Sequence, residues 1–441
     1  MKVWSPPAQG ADVVSLDGLA RELDGPSLVK RLAVIAYHSS PLHEPGIGDG
    51  GGMTVYVRRL AEAFARRGVS TDIFTRRSHP ASRVVQLGPD VRVVPIEAGP
   101  PTPHPKEDLP AFLEDFVAGV RAFAMGQRIR YDLLHSHYWQ SGIAGEALAR
   151  HWSVPLVHSH HTLGKVKNGL LAGGDSPEPL SRLEGEVVVS SAADVLVAST
   201  DEECEQLACL YGASHDQLKT IHPGVDHGAF HPGSREAARA ALGLGDEAVL
   251  LYVGRIQPLK GIELAIRSLE HVVRAVPRKV LLMVVGGASG PAGDRELERA
   301  HSLAAELGLT QNVRFVGPQP HSSLPGFYQA SDAVVVCSHS ESFGFAALEA
   351  HACGVPVVAT AVGGLSFIVH DGASGYLVPS RDPALFADRV TRLLVDEELR
   401  LRFGRGALSA AEPFSWDNAA GEFLELYECL VNEEFTELCT C

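Results

Sequence analysis

This 441-residue chain holds no apolar run of membrane-spanning length, which excludes a helical membrane anchor. Basic residues are also in short supply. Lys and Arg total 38 against 53 Asp and Glu, a formal net charge of −15, whereas nucleic-acid binders need a cationic excess to hold a phosphate backbone. Cysteine is rare: seven, an odd number, and none at metal-binding spacing. Cys204 and Cys209 are expected on one side of a helix and Cys439 and Cys441 sit near the end, so the expectation is reduced and mostly buried thiols of a cytoplasmic protein. The first 30 residues lack the apolar stretch of a secretory signal and read as a polar extension.

What the chain does have is length for two domains and a strand–helix alternation that occurs twice. "RLAVIAYHSS" is a buried strand, followed by the glycine-dense loop Gly46 to Gly52 and the helical pattern "TVYVRRLAEAFARRGV". The runs "STDIFTRR", "VRVVPIEAG", "YDLLHSHYW", "VPLVHSHHT" and "ADVLVAST" continue the pattern. It restarts at "AVLLYVGRIQPLKGIELAIRSLEHVV" and goes on through "KVLLMVVGG", "VRFVGP", "AVVVCSHS" and "PVVAT". Apolar strands alternating with helices predict parallel sheets covered on both faces. The expected division is an extension at 1–30, one α/β domain at 31–225, a second at 226–412, and a crossover helix with tail at 413–441. The inner boundary falls at "IHPGVDHGAFHPGS", where Pro, Gly and His break the pattern.

Open α/β sheets bind ligands beyond the carboxyl ends of their strands, so the chemistry is sought there. The glycine loop, which includes Gly51 and Gly52, lets backbone amides approach a ligand, although it is not a GxGxxG fingerprint. "GRIQPLKG" sets Arg255 and Lys260 after the second domain's first strand, where two cations suit a diphosphate leaving group. In "ESFGFAALEA", Glu341 precedes a helix that Ser342 and Phe343 are expected to open, and Glu349 lies two turns in on a similar face. Two carboxylates so spaced can hold vicinal diols; the bland alternative is two solvated acids and two solvated cations. His38, His135, His137, His158, His160 and His161 cluster at strand ends, but HSH and HSHH on strands are not the helical metal pattern, so hydroxyl binding or packing is expected.

"ESFGFAALE" resembles the E-x7-E signature of the retaining glycosyltransferases of family four, which have the GT-B fold. "VGRIQPLKG", "VVGGASGP", "GGL" and "DGASGYLV" resemble that family too, and the likeness runs from about Arg31 to the last helix. It implies two Rossmann-like domains facing each other across a cleft, with a C-terminal helix returning to the first. "HSSPLHEPGIGDGGGMTVYV", "HSHYWQSG", "HHTLGKVKN" and "GDSPEPLSR" resemble in particular the mycothiol-pathway members, which move N-acetylglucosamine from UDP-GlcNAc to 1D-myo-inositol 3-phosphate.

The resemblance implies donor contacts from Gly51, Gly52, Gly286, Gly287, Ser342, Phe343, Gly344 and His161. Arg255 and Lys260 would neutralise the diphosphate, Glu341 would take hexose hydroxyls and Glu349 the ribose. Arg255, Lys260, Glu341 and His161 would be the catalytic set. Lys106, Tyr138, Thr162 and Arg182 would bind the acceptor phosphate, with His38 and Thr54 beside it. The family pattern has Asn where this chain has Thr54, and "AGPPTPHPKEDL" also differs. Another cyclitol, an aminocyclitol or a small thiol such as ergothioneine therefore stays open as acceptor, and UDP or GDP as donor nucleotide. A sucrose-phosphate synthase-like enzyme and a non-catalytic sugar-binding protein are the remaining alternatives. The expected partners are a nucleotide-diphosphate sugar and a small acceptor, with no nucleic acid and no membrane. No cofactor or metal is required in such enzymes, and a homodimer is expected by analogy.

Overall fold

The computed structural model describes residues 28–43, 50–171, 173, 176–290 and 292–432. The expected extension at 1–30 falls almost wholly outside these, as do 44–49 of the glycine loop and the last two cysteines.

Fourteen strands form two sheets. The first contains β1 (Arg31–Ile35), β2 (Ser70–Arg76), β3 (Val85–Gly88), β4 (Val91–Ile96), β5 (Leu133–His137), β6 (Leu156–Ser159), β7 (Val195–Ala198) and β8 (Leu218–Thr220). Its order is β3-β4-β2-β1-β5-β6-β7-β8. Every pairing is parallel except β3 with β4, an edge hairpin that periodicity did not disclose. The second sheet contains β9 (Ala248–Val253), β10 (Val280–Val285), β11 (Val313–Gly317), β12 (Ala333–Val336), β13 (Val357–Thr360) and β14 (Gly375–Val378). It is wholly parallel, in the order β11-β10-β9-β12-β13-β14.

Helices on both faces explain why β10 and β12 are buried along their whole length and read as unbroken apolar runs, and why β5 is buried throughout although it carries His135, Ser136 and His137. Each sheet has one place where the winding reverses: between β1 and β5 in the first, between β9 and β12 in the second. Crevices open at such switch points.

The helix Gly52–Arg66 buries Tyr56, Val57, Leu60, Ala61, Ala63 and Phe64, a stripe at three- and four-residue spacing. Against it packs the last helix, Trp416–Val431, whose N-cap Ser415 accepts a hydrogen bond from the Asn418 amide. Trp416, Phe423 and Tyr427 of that helix enter the core of the first sheet's domain. Phe423 meets Phe64 edge-on at 6.2 Å, and the Tyr427 hydroxyl lies 2.7 Å from His135 Nδ1 on β5. Burying each large apolar side chain contributes about 1.5–3 kcal/mol, so this helix is held as part of the first domain's core.

The thiols are less uniformly buried than expected. Cys337 and Cys353 are buried, but Cys209 is exposed. Positions 204 and 209 are five residues apart, which turns them away from one another on the helix Asp201–Tyr211.

Candidate active site

A cleft of about 400 Å³ opens where the carboxyl ends of the two sheets face each other. It is lined from the first domain by His38, Gly51, Gly52, Lys106, Tyr138, His161, Thr162 and Arg182, and from the second by Arg255, Lys260, Gly286, Glu341, Ser342, Phe343, Gly344 and Glu349. Residues separated by up to three hundred positions thus share one cavity. Two expected members do not line it. Thr54 is turned into the first turn of its helix, where its hydroxyl donates to the Gly51 carbonyl at 2.7 Å. Gly287 is half-buried outside the cleft lining, its carbonyl accepting from the Ile256 amide at 2.8 Å.

On the first domain's side, Tyr138 follows β5 with φ 74° and His161 follows β6 with φ 61°. A left-handed backbone is costly for bulky side chains and persists only where the surroundings impose it. Both rings are thereby aimed into the cleft. His161 Nε2 lies 2.9 Å from His137 Nδ1, and Tyr56 meets the His161 ring edge-on at 4.8 Å. Burial pulls His161 down to about 3, and burial with the nearby Lys106 charge does the same for His38. Both imidazoles are neutral at physiological pH and can donate and accept toward sugar hydroxyls. His135, His158 and His160 are buried structural members with ring hydrogen bonds to Ser159, Ser136 and Ser190. Among the described residues, no three His, Cys, Asp or Glu side chains are grouped to hold a metal ion.

Deeper on the same side lies a corner built around Arg182. Arg182 is almost wholly buried and uses its guanidinium on three partners. Nε donates to Glu186 at 2.7 Å, one Nη donates to the Thr162 hydroxyl at 2.9 Å, and the other reaches Glu178 at 2.9 Å. Its plane lies over the Tyr138 ring at 5.0 Å. The carboxylate of Glu186 is itself held by the Gly164 amide and the Tyr211 hydroxyl. Burial alone would lower the Arg182 pKa, but Tyr138, Glu186 and Glu178 outweigh it and raise it. The guanidinium is a fixed, permanently charged fork. Lys106 and Lys167 bring two further ammonium groups to the cleft wall.

The second domain supplies the other half. Beyond β9 the chain turns through Arg255 to a single helical turn, Pro258–Lys260. Lys260 Nζ donates to Glu341 Oε2 at 2.5 Å, and the Ser338 hydroxyl donates to the same oxygen at 3.0 Å. Arg255 Nη1 reaches the Ser289 hydroxyl at 3.4 Å, and its guanidinium lies against Gly51 of the opposite domain. Gly286 has φ 143°, and a Cβ there would sit 1.9 Å from the Gly254 carbonyl, so only glycine lets β9 and β10 end side by side.

The helix after β12 is shorter than expected. It runs Phe345–Ala352, with Gly344 at φ 108° before it, so Ser342 and Phe343 belong to the bend and do not open the helix. The bend is needed because Gly364 donates its amide to the Glu341 carbonyl at 2.9 Å, folding the next loop onto this one. Glu349 is buried in the first turns of that helix. Its carboxylate accepts the Tyr328 hydroxyl at 2.8 Å and lies 2.6 Å from His321 Nε2. Burial works against the charged imidazole, but Glu349 prevails and raises the His321 pKa. His321, Tyr328 and Lys167 escaped sequence reasoning. The first two meet Glu349 only through packing, while Lys167 stood inside the conspicuous "HHTLGKVKN".

Two family models divide the chain at this cleft. Residues 51–224 match a glycosyl transferase 4-like domain, and residues 234–409 match glycosyl transferases group 1. A D-inositol 3-phosphate glycosyltransferase 2 from Catenulispora acidiphila is 46% identical over 94% of this chain and 99% of that protein. The chain belongs to family four of the GT-B glycosyltransferases.

A D-inositol 3-phosphate glycosyltransferase from Acidothermus cellulolyticus is likewise 46% identical, over 95% of this chain and 94% of that one. Among solved structures, a sucrose-phosphate synthase from Thermosynechococcus elongatus superposes with a TM-score of 0.84 at 33% identity, covering 91% of this chain and 99% of that chain. The glycosyltransferase therefore has its two family halves meeting between β8 and β9, on either side of the cleft. Among the described residues no helix is long and apolar enough to cross a membrane.

Proposed function

We propose that this glycosyltransferase is a retaining enzyme that transfers N-acetylglucosamine from UDP-GlcNAc to 1D-myo-inositol 3-phosphate. The observation that carries the reading is the division of charge within one cleft. Lys106 and Arg182, with Tyr138 and the Thr162 hydroxyl, gather on one wall, a set suited to a phosphate, and Arg255 and Lys260 gather on the other, a set suited to a diphosphate. The names of the relatives with 46% identity point to the same acceptor.

In this reading the diphosphate lies along Arg255 and Lys260. The bond from the sugar's anomeric carbon to the diphosphate oxygen breaks while the acceptor hydroxyl attacks from the same face. That hydroxyl's proton passes to the departing phosphate oxygen, and UDP leaves. Charge growing on the leaving group is stabilised by the two cations without reorganisation, and the rest of the rate comes from holding both substrates in line. Glu341 and neutral His161 take hexose hydroxyls, and Glu349 holds the ribose diol. No protein nucleophile and no metal ion is required.

A second reading has one specific support. Thr54, where the family pattern has Asn, does not line the cleft, and the sucrose-phosphate synthase likeness is substantial, so a hexose phosphate could take the inositol phosphate's place. Product mass and anomeric configuration, measured over UDP- and GDP-sugars against inositol 3-phosphate, free inositol, small thiols and fructose 6-phosphate, decide between them. The expected product is an α-linked N-acetylglucosaminyl inositol phosphate. Turnover confined to an uncharged acceptor would overturn the reading.

A further inference from the structure

Lys167 sits on the short helix Gly164–Gly169 and lines the same cleft as Lys106 and Arg182. Its ammonium donates to Glu178, and the other oxygen of that carboxylate lies 2.9 Å from Arg182. Glu178 thus bridges two cations, and its own backbone amide is fixed by the Asn168 side chain at 2.7 Å.

The three cations differ in what they can offer an incoming anion. Arg182 is immobile, since Glu186, Thr162 and Glu178 occupy most of its fork. Lys106 and Lys167 are each partly open, with 33% and 26% of the side chain exposed. Lys167 is a single ammonium on a flexible stem, with one of its three donors given to Glu178. Two electrostatic facts place these groups in one field. Burial would raise the Glu178 pKa, but Arg182 and Lys167 outweigh it and hold it down to about 2, with Lys106 adding to the effect. Burial lowers the Lys167 pKa and Glu178 counteracts it, while Arg182 and Lys106 lower it further. Arg182 is already matched by Glu186 and Glu178, so a phosphomonoester dianion entering this corner finds its partners in the two partly exposed cations, Lys106 and Lys167.

We propose that Lys167 is a further acceptor-binding residue, a third cation for the acceptor's phosphate, and that Glu178 is the counter-ion from which the phosphate draws it. Glu178 keeps Lys167 and Arg182 aligned by bridging them. On binding, Lys167 shares its donors with the phosphate, and Glu178 stays on Arg182. The inference rests on the phosphorylated acceptor proposed above.

The test is titration calorimetry of the full chain, preloaded with UDP, against inositol 3-phosphate, inorganic phosphate and free inositol. K167M is expected to weaken inositol 3-phosphate binding about tenfold, the value of one charge-assisted hydrogen bond, while UDP affinity and melting temperature hold. K167R is expected to restore most of the loss, and E178Q to tighten both phosphate ligands several-fold. In turnover the K167M effect falls on the acceptor KM, with kcat near wild type. Wild-type affinity for inositol 3-phosphate in K167M overturns the assignment of Lys167, and weaker phosphate binding in E178Q overturns the counter-ion role. If wild type binds free inositol as well as its phosphate, the phosphorylated-acceptor reading fails first, and this one fails with it.

Discussion

Lys260 donates to Glu341 across the mouth of the second sheet's crevice at 2.5 Å, so the cation proposed for the donor's diphosphate and the carboxylate proposed for its sugar form one ion pair. The pair closes only because β9 and β12 are neighbours in the sheet although their sequences are eighty residues apart. Donor binding must share out this ion pair, which ties affinity for the diphosphate to affinity for the sugar.

Replacing Arg255 with alanine is expected to cut kcat on the order of 10²–10³-fold, the usual cost of removing one donor to a developing oxyanion. The guanidinium lies on the cleft wall and reaches the Ser289 hydroxyl at 3.4 Å, so the loss of stability should be small beside the loss of turnover. Steady-state kinetics beside a thermal melt checks both halves of the expectation. Unchanged turnover would remove Arg255 from the catalytic set.

Glu349 has a structural burden as well as its proposed ribose contact. Glu349→Ala leaves the Tyr328 hydroxyl and His321 without their buried partner, which costs about 1–3 kcal/mol. Lower stability and lost UDP binding are therefore expected together. Tyr328→Phe removes one of the two hydrogen bonds and should destabilise less while keeping UDP affinity, read by urea melts and calorimetry.

Acid should unfold this protein early. Burial lowers His38, His135, His160 and His161 to about 3 in the folded chain, against about 6.5 when unfolded. Between those values the unfolded state binds more protons, so stability rises with pH there and is lost as pH falls from about 6.5 toward 3. The urea midpoint should drop steadily below pH 6.5 and level off above pH 7.5. His160→Gln, which removes one titrating group away from the cleft, should flatten that dependence.

The returning helix is expected to be indispensable to the first domain. Phe423→Ala, in a fully buried aromatic cluster with Phe64 and His135, should cost about 3–5 kcal/mol. Tyr427→Phe removes only the hydrogen bond to His135 and should cost about 1 kcal/mol. Urea unfolding followed by near-ultraviolet dichroism separates the two.

Gly286→Ala should abolish nucleotide binding and destabilise the second domain. The added methyl would lie 1.9 Å from the Gly254 carbonyl at a backbone φ of 143°, and the atoms it meets are backbone, which cannot rotate aside. A variant that still binds UDP would show that β9 and β10 can separate.

By itself the sequence determined the two-fold α/β alternation, the strand ends where chemistry gathers, and the residues Arg255, Lys260, Glu341 and His161 that reach the cleft, while Arg182, inside a helix, was marked by the family resemblance alone. These are local facts: fully buried parallel strands leave unbroken apolar runs, and glycine and charge collect where strands stop. Only the tertiary structure decided which of those groups meet. The antiparallel edge β3 is too short to show a period, and the helix after Glu341 starts three residues later than expected because a neighbouring loop bonds to the Glu341 carbonyl. The partnerships of Glu349 with His321 and Tyr328, of Lys167 with Glu178, and of Tyr427 with His135 join segments brought together by sheet order and helix packing. Side chains pair through space, and spacing along a chain is silent about that.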